Sequence, residues 1–291
     1  SPVTFNATGG AVISAFNITL TYLTNVADAG QLDAFQQAKT KWEQAITGDI
    51  ADWNLNTGPI PAGRCDVLQP ARTSGSIDDV EIMVVLDSID GPLQILGQAG
   101  PCISRPGNRQ TIIGVMVFDT ADIRLLETQN KLVATITHEM GHVLGFGTHW
   151  EGAPFNLLVG GGGQSPTYVG ANAVAAFDQL NGGGTSTSVP VEGAAAGPGT
   201  ADGHWRESVF GRELMTGFLS GTSQPMSATT IRQFEDLGYQ VDVGVADPFD
   251  IASPNIRVTA ETPGLRLISD ILNRPRYTFG PSGLVPLPSP H

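Results

Sequence analysis

Residues 138 to 145 read His-Glu-Met-Gly-His-Val-Leu-Gly. On a helix, residues four apart stack on one face, so His138 and His142 can share one metal ion while Glu139 reaches a water bound to it. Neutral imidazole suits zinc, and three protein ligands leave a fourth position for a water whose pKa falls to about 7. Glu139 is then placed to take that water's proton as it attacks a carbonyl and to deliver the proton to the leaving amine, while zinc stabilises the oxyanion. The pattern is short, and the competing reading is a surface helix with two chance histidines. Ile136, Val143 and Leu144 argue for burial instead, and Gly145 can adopt the left-handed conformation that stops a helix.

Histidine is scarce: besides these two the chain has only His149, His204 and His291. The compact spacing H-E-x-x-H-x-x-G-x-x-H would put a third ligand at position 148, which is Thr148, and His149 misses that register by one. His204 stands far downstream, in Gly203-His204-Trp205-Arg206-Glu207, with Glu213-Leu214-Met215-Thr216-Gly217 soon after. A long gap is tolerable because loop-closure entropy grows only slowly with length.

With these segments the chain resembles the leishmanolysin-like metzincins. In that family a long insertion separates the H-E-x-x-H-x-x-G helix from a third zinc histidine in an H-W context, and a methionine-containing turn underlies the metal. The resemblance implies that His138, His142 and His204 are the zinc ligands, Glu139 the general base and Met215 the Met-turn residue, with His149 as the rival third ligand. Gln233 to Tyr239 resembles the helix and exit strand that follow the Met-turn, and Phe35 to Asp49, with Trp42 inside, resembles the family's first helix. The family pattern does not require His149. Taken singly, Met215 is as well read as a core filler, Trp205 as a packing residue and Tyr239 as a buried tyrosine at a helix end.

Elements that must position these groups are visible as periodicities. Phe16 to Leu23 alternates apolar and polar residues as a half-buried strand does, and Leu32, Phe35, Trp42, Ala45 and Ile46 recur at helical spacing with Gly48 beyond as a stop. Val80 to Leu86 and Thr111 to Phe118 are β-rich apolar runs, and Ile123 to Gly145 carries a helical pattern that ends in the zinc motif. Between the two runs, Gly97-Gln98-Ala99-Gly100 is similar to the metzincin edge strand that binds substrate backbone in extended form; an ordinary glycine-rich loop is the alternative. Gly160 to Gly163 and Gly182 to Gly184 are flexible tracts around a helix-like piece, Ala171 to Leu180. After Asp247-Pro248, prolines 254, 263, 275, 281, 286, 288 and 290 indicate extended, irregular chain. The expected fold is α+β, a metzincin-type zincin. Residues 1–147 form an upper catalytic subdomain with a twisted mixed sheet and the active-site helix. Residues 148–250 form an irregular lower subdomain with the glycine-rich insertion, the third ligand and the Met-turn, and residues 251–291 a proline-rich C-terminal extension.

Composition bounds the function. With 291 residues, 41% hydrophobic and 15% charged, the chain can build a sizeable core. A formal charge of −13, with Lys39, Lys41 and Lys131 as its lysines, disfavours nucleic acid or an anionic membrane as partner. No run approaches the roughly 18 apolar residues of a spanning helix. No cleavable signal stands at Ser1, so the chain reads as a mature or trimmed form whose precursor would carry a signal and an inhibitory propeptide. For such a secreted protein, Cys65 and Cys102 are expected to form one bridge, and the sequons at Asn6 and Asn17 fit a eukaryotic secretory route. Calcium is a second candidate ion, at Asp87, Asp90, Asp119 and Asp122, although their spacing is no recognised loop and solvated surface aspartates are the favoured reading. The expectation is a secreted zinc endopeptidase acting on protein or peptide substrates. The alternatives are a zinc hydrolase of another amide or ester, and a noncatalytic binding protein on the same scaffold, against which the presence of Glu139 speaks.

Overall fold

The computed structural model describes residues 3–5, 15–25, 28–221, 223–251 and 265–288. Asn6 and His291 lie outside them. Along the chain, β1 (Val3–Phe5), β2 (Ile18–Tyr22), α1 (Ala29–Ala45), β3 (Trp53–Asn54), β4 (Ser76–Ile77), β5 (Val80–Asp87), β6 (Gly97–Ser104) and β7 (Thr111–Asp119) lead to α2 (Ile123–Thr128) and α3 (Leu132–Leu144). There follow β8 (Leu158–Val159), β9 (Thr167–Tyr168), α4 (Ala171–Leu180), β10 (Val189–Pro190), α5 (Glu207–Phe210), β11 (Phe218–Leu219), α6 (Ala228–Asp236), β12 (Leu265–Arg266), β13 (Tyr277–Gly280) and β14 (Gly283–Pro286). The main sheet has the order β1-β2-β5-β7-β6-β13-β14. Strands β2, β5 and β7 run parallel, β6 is antiparallel to β7, and β13 is parallel to β6. This is a mixed sheet in an α+β fold.

Both faces of the sheet are buried, which is why β5 and β7 read as continuous apolar runs. Ile82, Val84, Met116 and Phe118 face the core that contains α1 and α3. Met83, Val85, Ile113, Val115 and Val117 face a second core with Leu55, Ile60 and the Cys65–Cys102 bridge. Helix α1 starts where the Asp28 carboxylate accepts the Gln31 N–H at 3.0 Å and presents Ala34, Phe35, Ala38, Trp42 and Ala45 inward. Trp42 is fully buried and donates its indole N–H to Thr137 O of α3 at 2.8 Å. Truncating such a side chain costs about 3–5 kcal/mol. Helix α3 comes close to the sheet because β7 carries Gly114, where a Cβ would stand 2.2 Å from Val143 Cγ1.

Several expected elements differ in the structure. The helical pattern from Ile123 to Gly145 is two helices, separated where Asn130 takes a left-handed conformation (φ 55°) and Lys131 N–H bonds back to Leu126 O. Asn is one of the few side chains that tolerates that conformation, so the periodicity runs on while the backbone turns. Helix α1 ends at Ala45 with Ile46 extended, and Gly48 is small because the Gln240 side chain packs on it, at 2.6 Å from where its Cβ would be. The exit strand after α6 is a single bridge between Val241 and Ile46. The glycine-rich insertion contains a small sheet, β10-β9-β8, folded around Trp150, Tyr168 and Trp205, whose rings lie 4.9–5.5 Å apart. The segment at Gly97–Gly100 is strand, as the resemblance implies, but not a free edge: residues 270–272 pair with Ala99 and β13 pairs further along β6. The proline-rich segment is ordered against the body from residue 265 to 288, and β13 hydrogen-bonds to β6.

Candidate metal centre

Helix α3 sets His138 and His142 one turn apart, and its end is fixed by Gly145 (φ 122°), whose N–H bonds to Gly141 O and His142 O. Each ring is then clamped from behind. Nδ1 of His138 lies 2.7 Å from Leu214 O, that of His142 2.9 Å from Phe146 O, and that of His204 2.9 Å from Thr200 O. A carbonyl can only accept, so Nδ1 is the protonated nitrogen in all three, and each Nε2 keeps its lone pair. Those three Nε2 atoms converge: His138 to His142 at 2.9 Å, and each of them to His204 at 3.1 Å. Three lone pairs aimed at one point in a fully buried site repel unless a cation lies between them. A tetrahedral ion held at about 2.0–2.1 Å spaces its ligands by roughly 3.3 Å, and the donor set fits zinc.

His204 is brought to the site by the aromatic cluster of the insertion. Its neighbour Trp205 is fully buried, donates to Thr230 Oγ1 at 2.9 Å and stacks on Trp150 at 5.0 Å. Trp205 N–H also bonds to Met215 O at 3.0 Å. Met215 lies under α3, where a Cβ on Gly141 would meet its Sδ at 3.0 Å and its Cε at 2.9 Å. That turn is held by Glu213, a fully buried carboxylate accepting from Met215 N–H (2.6 Å), Ser227 N–H (2.9 Å), Ser227 Oγ (2.8 Å) and Thr230 Oγ1. The turn thus touches His138 through Leu214 O and the neighbour of His204 through Met215 O.

His149, the rival third ligand, is elsewhere. Its Nε2 lies 3.3 Å from Thr111 Oγ1, and burial, with the positive charges of Arg276 and Arg109, pushes its pKa down to about 3. Tyr239 donates its hydroxyl to Leu144 O at 2.9 Å, below the helix end and away from the three rings.

A fourth group at the centre carries no spacing signal in the sequence. Asp270 is fully buried, with Oδ2 at 2.9 Å from His204 Nε2, 3.1 Å from His138 Nε2 and 3.6 Å from His142 Nε2. Burial pushes its carboxyl up, but the three imidazoles set against it, His204 foremost, outweigh that and hold it well below the usual range. Burial lowers His138 and His142, the latter to about 4. For His204 burial acts the same way, yet the Asp270 charge overrides it and the ring is raised. Glu139 is fully buried, and neither of its carboxylate oxygens has a hydrogen-bond partner among the described residues. Burial and the negative charge of Asp270 push it well above the ordinary range. The one local hint of Asp270 is an acid embedded in the apolar run Leu267-Ile268-Ser269-Asp270-Ile271-Leu272.

The other expected groups fall as follows. Cys65 and Cys102 form a disulfide with Cα atoms 5.6 Å apart. The aspartates considered for calcium serve their own loops: Asp119 accepts the N–H groups of Ile89, Asp90, Gly91 and Ala121, and Asp122 accepts that of Leu93. They form no cluster of possible metal donors, and the calcium expectation gains no support.

A buried three-histidine centre with a neighbouring carboxylate, two of its rings on one helix of an α+β domain, is a site built to hold a metal ion. The family model of leishmanolysin matches residues 57–252, and the chain belongs to that family of zinc-dependent metallopeptidases. Its substrates are accordingly proteins or peptides. A search of curated proteins returns no match. Among the described residues no helix is long and apolar enough to cross a membrane.

Proposed function

We propose that this protein is a secreted zinc endopeptidase in which His138, His142 and His204 hold the ion and Glu139 is the general base. The observation that carries this reading is the convergence of three Nε2 lone pairs beside a buried carboxylate, that of Glu139, with no hydrogen-bond partner among the described residues. Zinc, when bound, supplies a Lewis acid that makes water a competent nucleophile at neutral pH and polarises the scissile carbonyl. Glu139 takes a proton from the attacking water and returns it to the leaving nitrogen. Backbone carbonyls of Leu214, Phe146 and Thr200 keep the three rings in the tautomer that ligation needs. Met215 and Glu213 hold the floor rigid. Gln98 and Pro101 of β6 line the cleft, and β6 from Gly97 to Gly100 is the strand to which an extended substrate would add once its outer side is free. In this reading residues 1–147 form the upper part of the catalytic unit, 148–250 the lower part, and 251–291 an extension. The disulfide and the family support secretion.

Zinc analysis paired with cleavage-site mapping on a peptide library tests the proposal. Glu139→Ala should retain one equivalent of zinc while cleavage falls by about 10²–10⁴, and His204→Ala should lose both. Cleavage at the parental rate by Glu139→Ala would sink the assignment.

A further inference from the structure

Residues 265–280 run across the mouth of the metal centre as a strap. On one side β12 pairs with β11, just past Met215, and Leu267 N–H bonds to Gly217 O at 2.9 Å. Thr200 Oγ1 donates to Leu267 O at 3.0 Å. On the other side Gln98 Nε2 donates to Ser269 O at 2.7 Å, Ala99 N–H to Asp270 O at 2.7 Å, and Leu272 N–H to Ala99 O at 2.8 Å. Arg274 then reaches Asp66 at 2.9 Å and Cys65 O at 3.0 Å. The seat is shaped for the strap. A Cβ on Gly199 would stand 2.4 Å from Ser269 Cα, and one on Gly203 would stand 2.1 Å from Ile271 Cδ1.

We propose that this strap is an intramolecular closure of the active site: Asp270 takes the fourth position at the metal, and residues 269–272 occupy the β6 edge that an extended peptide needs. The proposal rests on the zinc endopeptidase reading and adds a regulation to it. Catalytic zinc sites keep one position open, whereas sites with four protein donors are closed and structural. Here Asp270 Oδ2 completes the set at 2.9–3.6 Å from the three nitrogens. Both backbone polar groups of Ala99 are taken by the strap, so no substrate strand can add there until it leaves. The strap is not a bound substrate either. Its side-chain carboxylate faces the rings, while the main-chain carbonyl of Asp270 is turned to Ala99, so no scissile bond is presented. Glu139 is fully buried beside Asp270, cut off from bulk solvent. A cavity of about 390 Å³, lined by Gln98, Gly147, Thr148, Asp202 and Ile271, continues the cleft alongside the strap. Activity therefore requires the segment around Asp270 to lift from β6 and from the rings.

The test uses the full chain loaded with cobalt(II), whose absorption spectrum reports the ligands, and acetohydroxamate as a probe of an open position. The parental spectrum should not respond to acetohydroxamate. Asp270→Ala should keep the metal, change the spectrum and bind the probe, and it should cleave a quenched peptide about tenfold faster or more, the gain expected when a competent fraction of about a tenth or less becomes the main population. Ile271→Asp, which keeps Asp270 but unseats the strap from Gly203, should make the site responsive to the probe without removing any ligand. Loss of cobalt by Asp270→Ala with a silent Ile271→Asp would make Asp270 a permanent structural ligand and overturn the closure, as would a parental site that binds the probe as readily as the variants. Probe binding gained by both variants without peptide cleavage by either would leave the closure standing and overturn the endopeptidase reading.

Discussion

His149 should make the fold sensitive to acid without touching the metal. Its ring is 7% exposed, and burial with Arg276 and Arg109 nearby places its pKa at about 3, against about 6.5 in an unfolded chain. Between those values the unfolded state binds a proton that the native state refuses, so stability is full above pH 6.5 and falls as pH drops toward 3. At pH 5 the unfolded imidazole lies about 1.5 pH units below its pKa and favours the charged form by roughly 30-fold, which is worth about 2 kcal/mol at 1.36 kcal/mol per unit. At pH 7 the same term is about 0.2 kcal/mol. His149→Leu is close in volume, and Thr111 keeps its hydrogen bond to Val143 O at 2.7 Å. Urea unfolding in excess zinc at both pH values, for parent and variant, gives a double difference in which the metal-site histidines cancel. The variant should lose about 2 kcal/mol less than the parent between pH 7 and pH 5 while retaining one equivalent of zinc. Superimposable pH dependences would show that the native ring protonates freely and refute the reasoning; loss of zinc would restore His149 as a ligand.

Three further outcomes follow from the packing. Glu213→Gln turns an amide N–H₂ toward donors that now meet carboxylate oxygen, so it should cost about 1–3 kcal/mol and weaken zinc retention by about 10–100-fold, measured by chelator competition. Gly114→Val drives a side chain into Val143 and should cost about 1–3 kcal/mol or more, seen as a lower Tm with α3 displaced from the sheet. Reducing and alkylating Cys65 and Cys102, which close a separation of 37 residues, should cost about 2–4 kcal/mol, whereas the oxidised protein should show no thiol on titration in denaturant.

His138, Glu139 and His142 are legible because a helix places them by itself: identity and spacing within one turn suffice. His204 lies 62 residues from His142, so only its H-W context and the later Met215 turn mark it, and the fold must do the rest. Asp270 is further still, 132 residues from His138, in a proline-rich stretch whose composition reads as irregular. Its position is set by pairing with Ala99, which no local pattern encodes. The long buried strands β5 and β7 stand out as apolar runs, whereas β8, β9 and β10 are two residues each and too short for any alternation to register. Asn130 breaks a helix that hydrophobic periodicity alone would continue. Gly48 shows the converse, a glycine read as a stop whose reason is the side chain packed on it.

The pairing of β13 with β6 joins Thr278 to Ser104 across 174 residues, and this sets an order of events during synthesis. Helix α3 and strands β5 to β7 draw on residues that emerge early and lie near one another, so two of the three imidazoles can be in place while much of the chain is still unmade. The third arrives only with the aromatic cluster of the insertion, and the strap only after the translation of β12. Non-local pairings of this kind are made late, because their loop entropy must be overcome before their contacts form. An ion captured by His138, His142 and His204 would thus have a period of exposure on the ribosome before Asp270 reaches it, and the length of that period is set by the rate of elongation, about 5–20 residues per second, over the residues between His204 and β13.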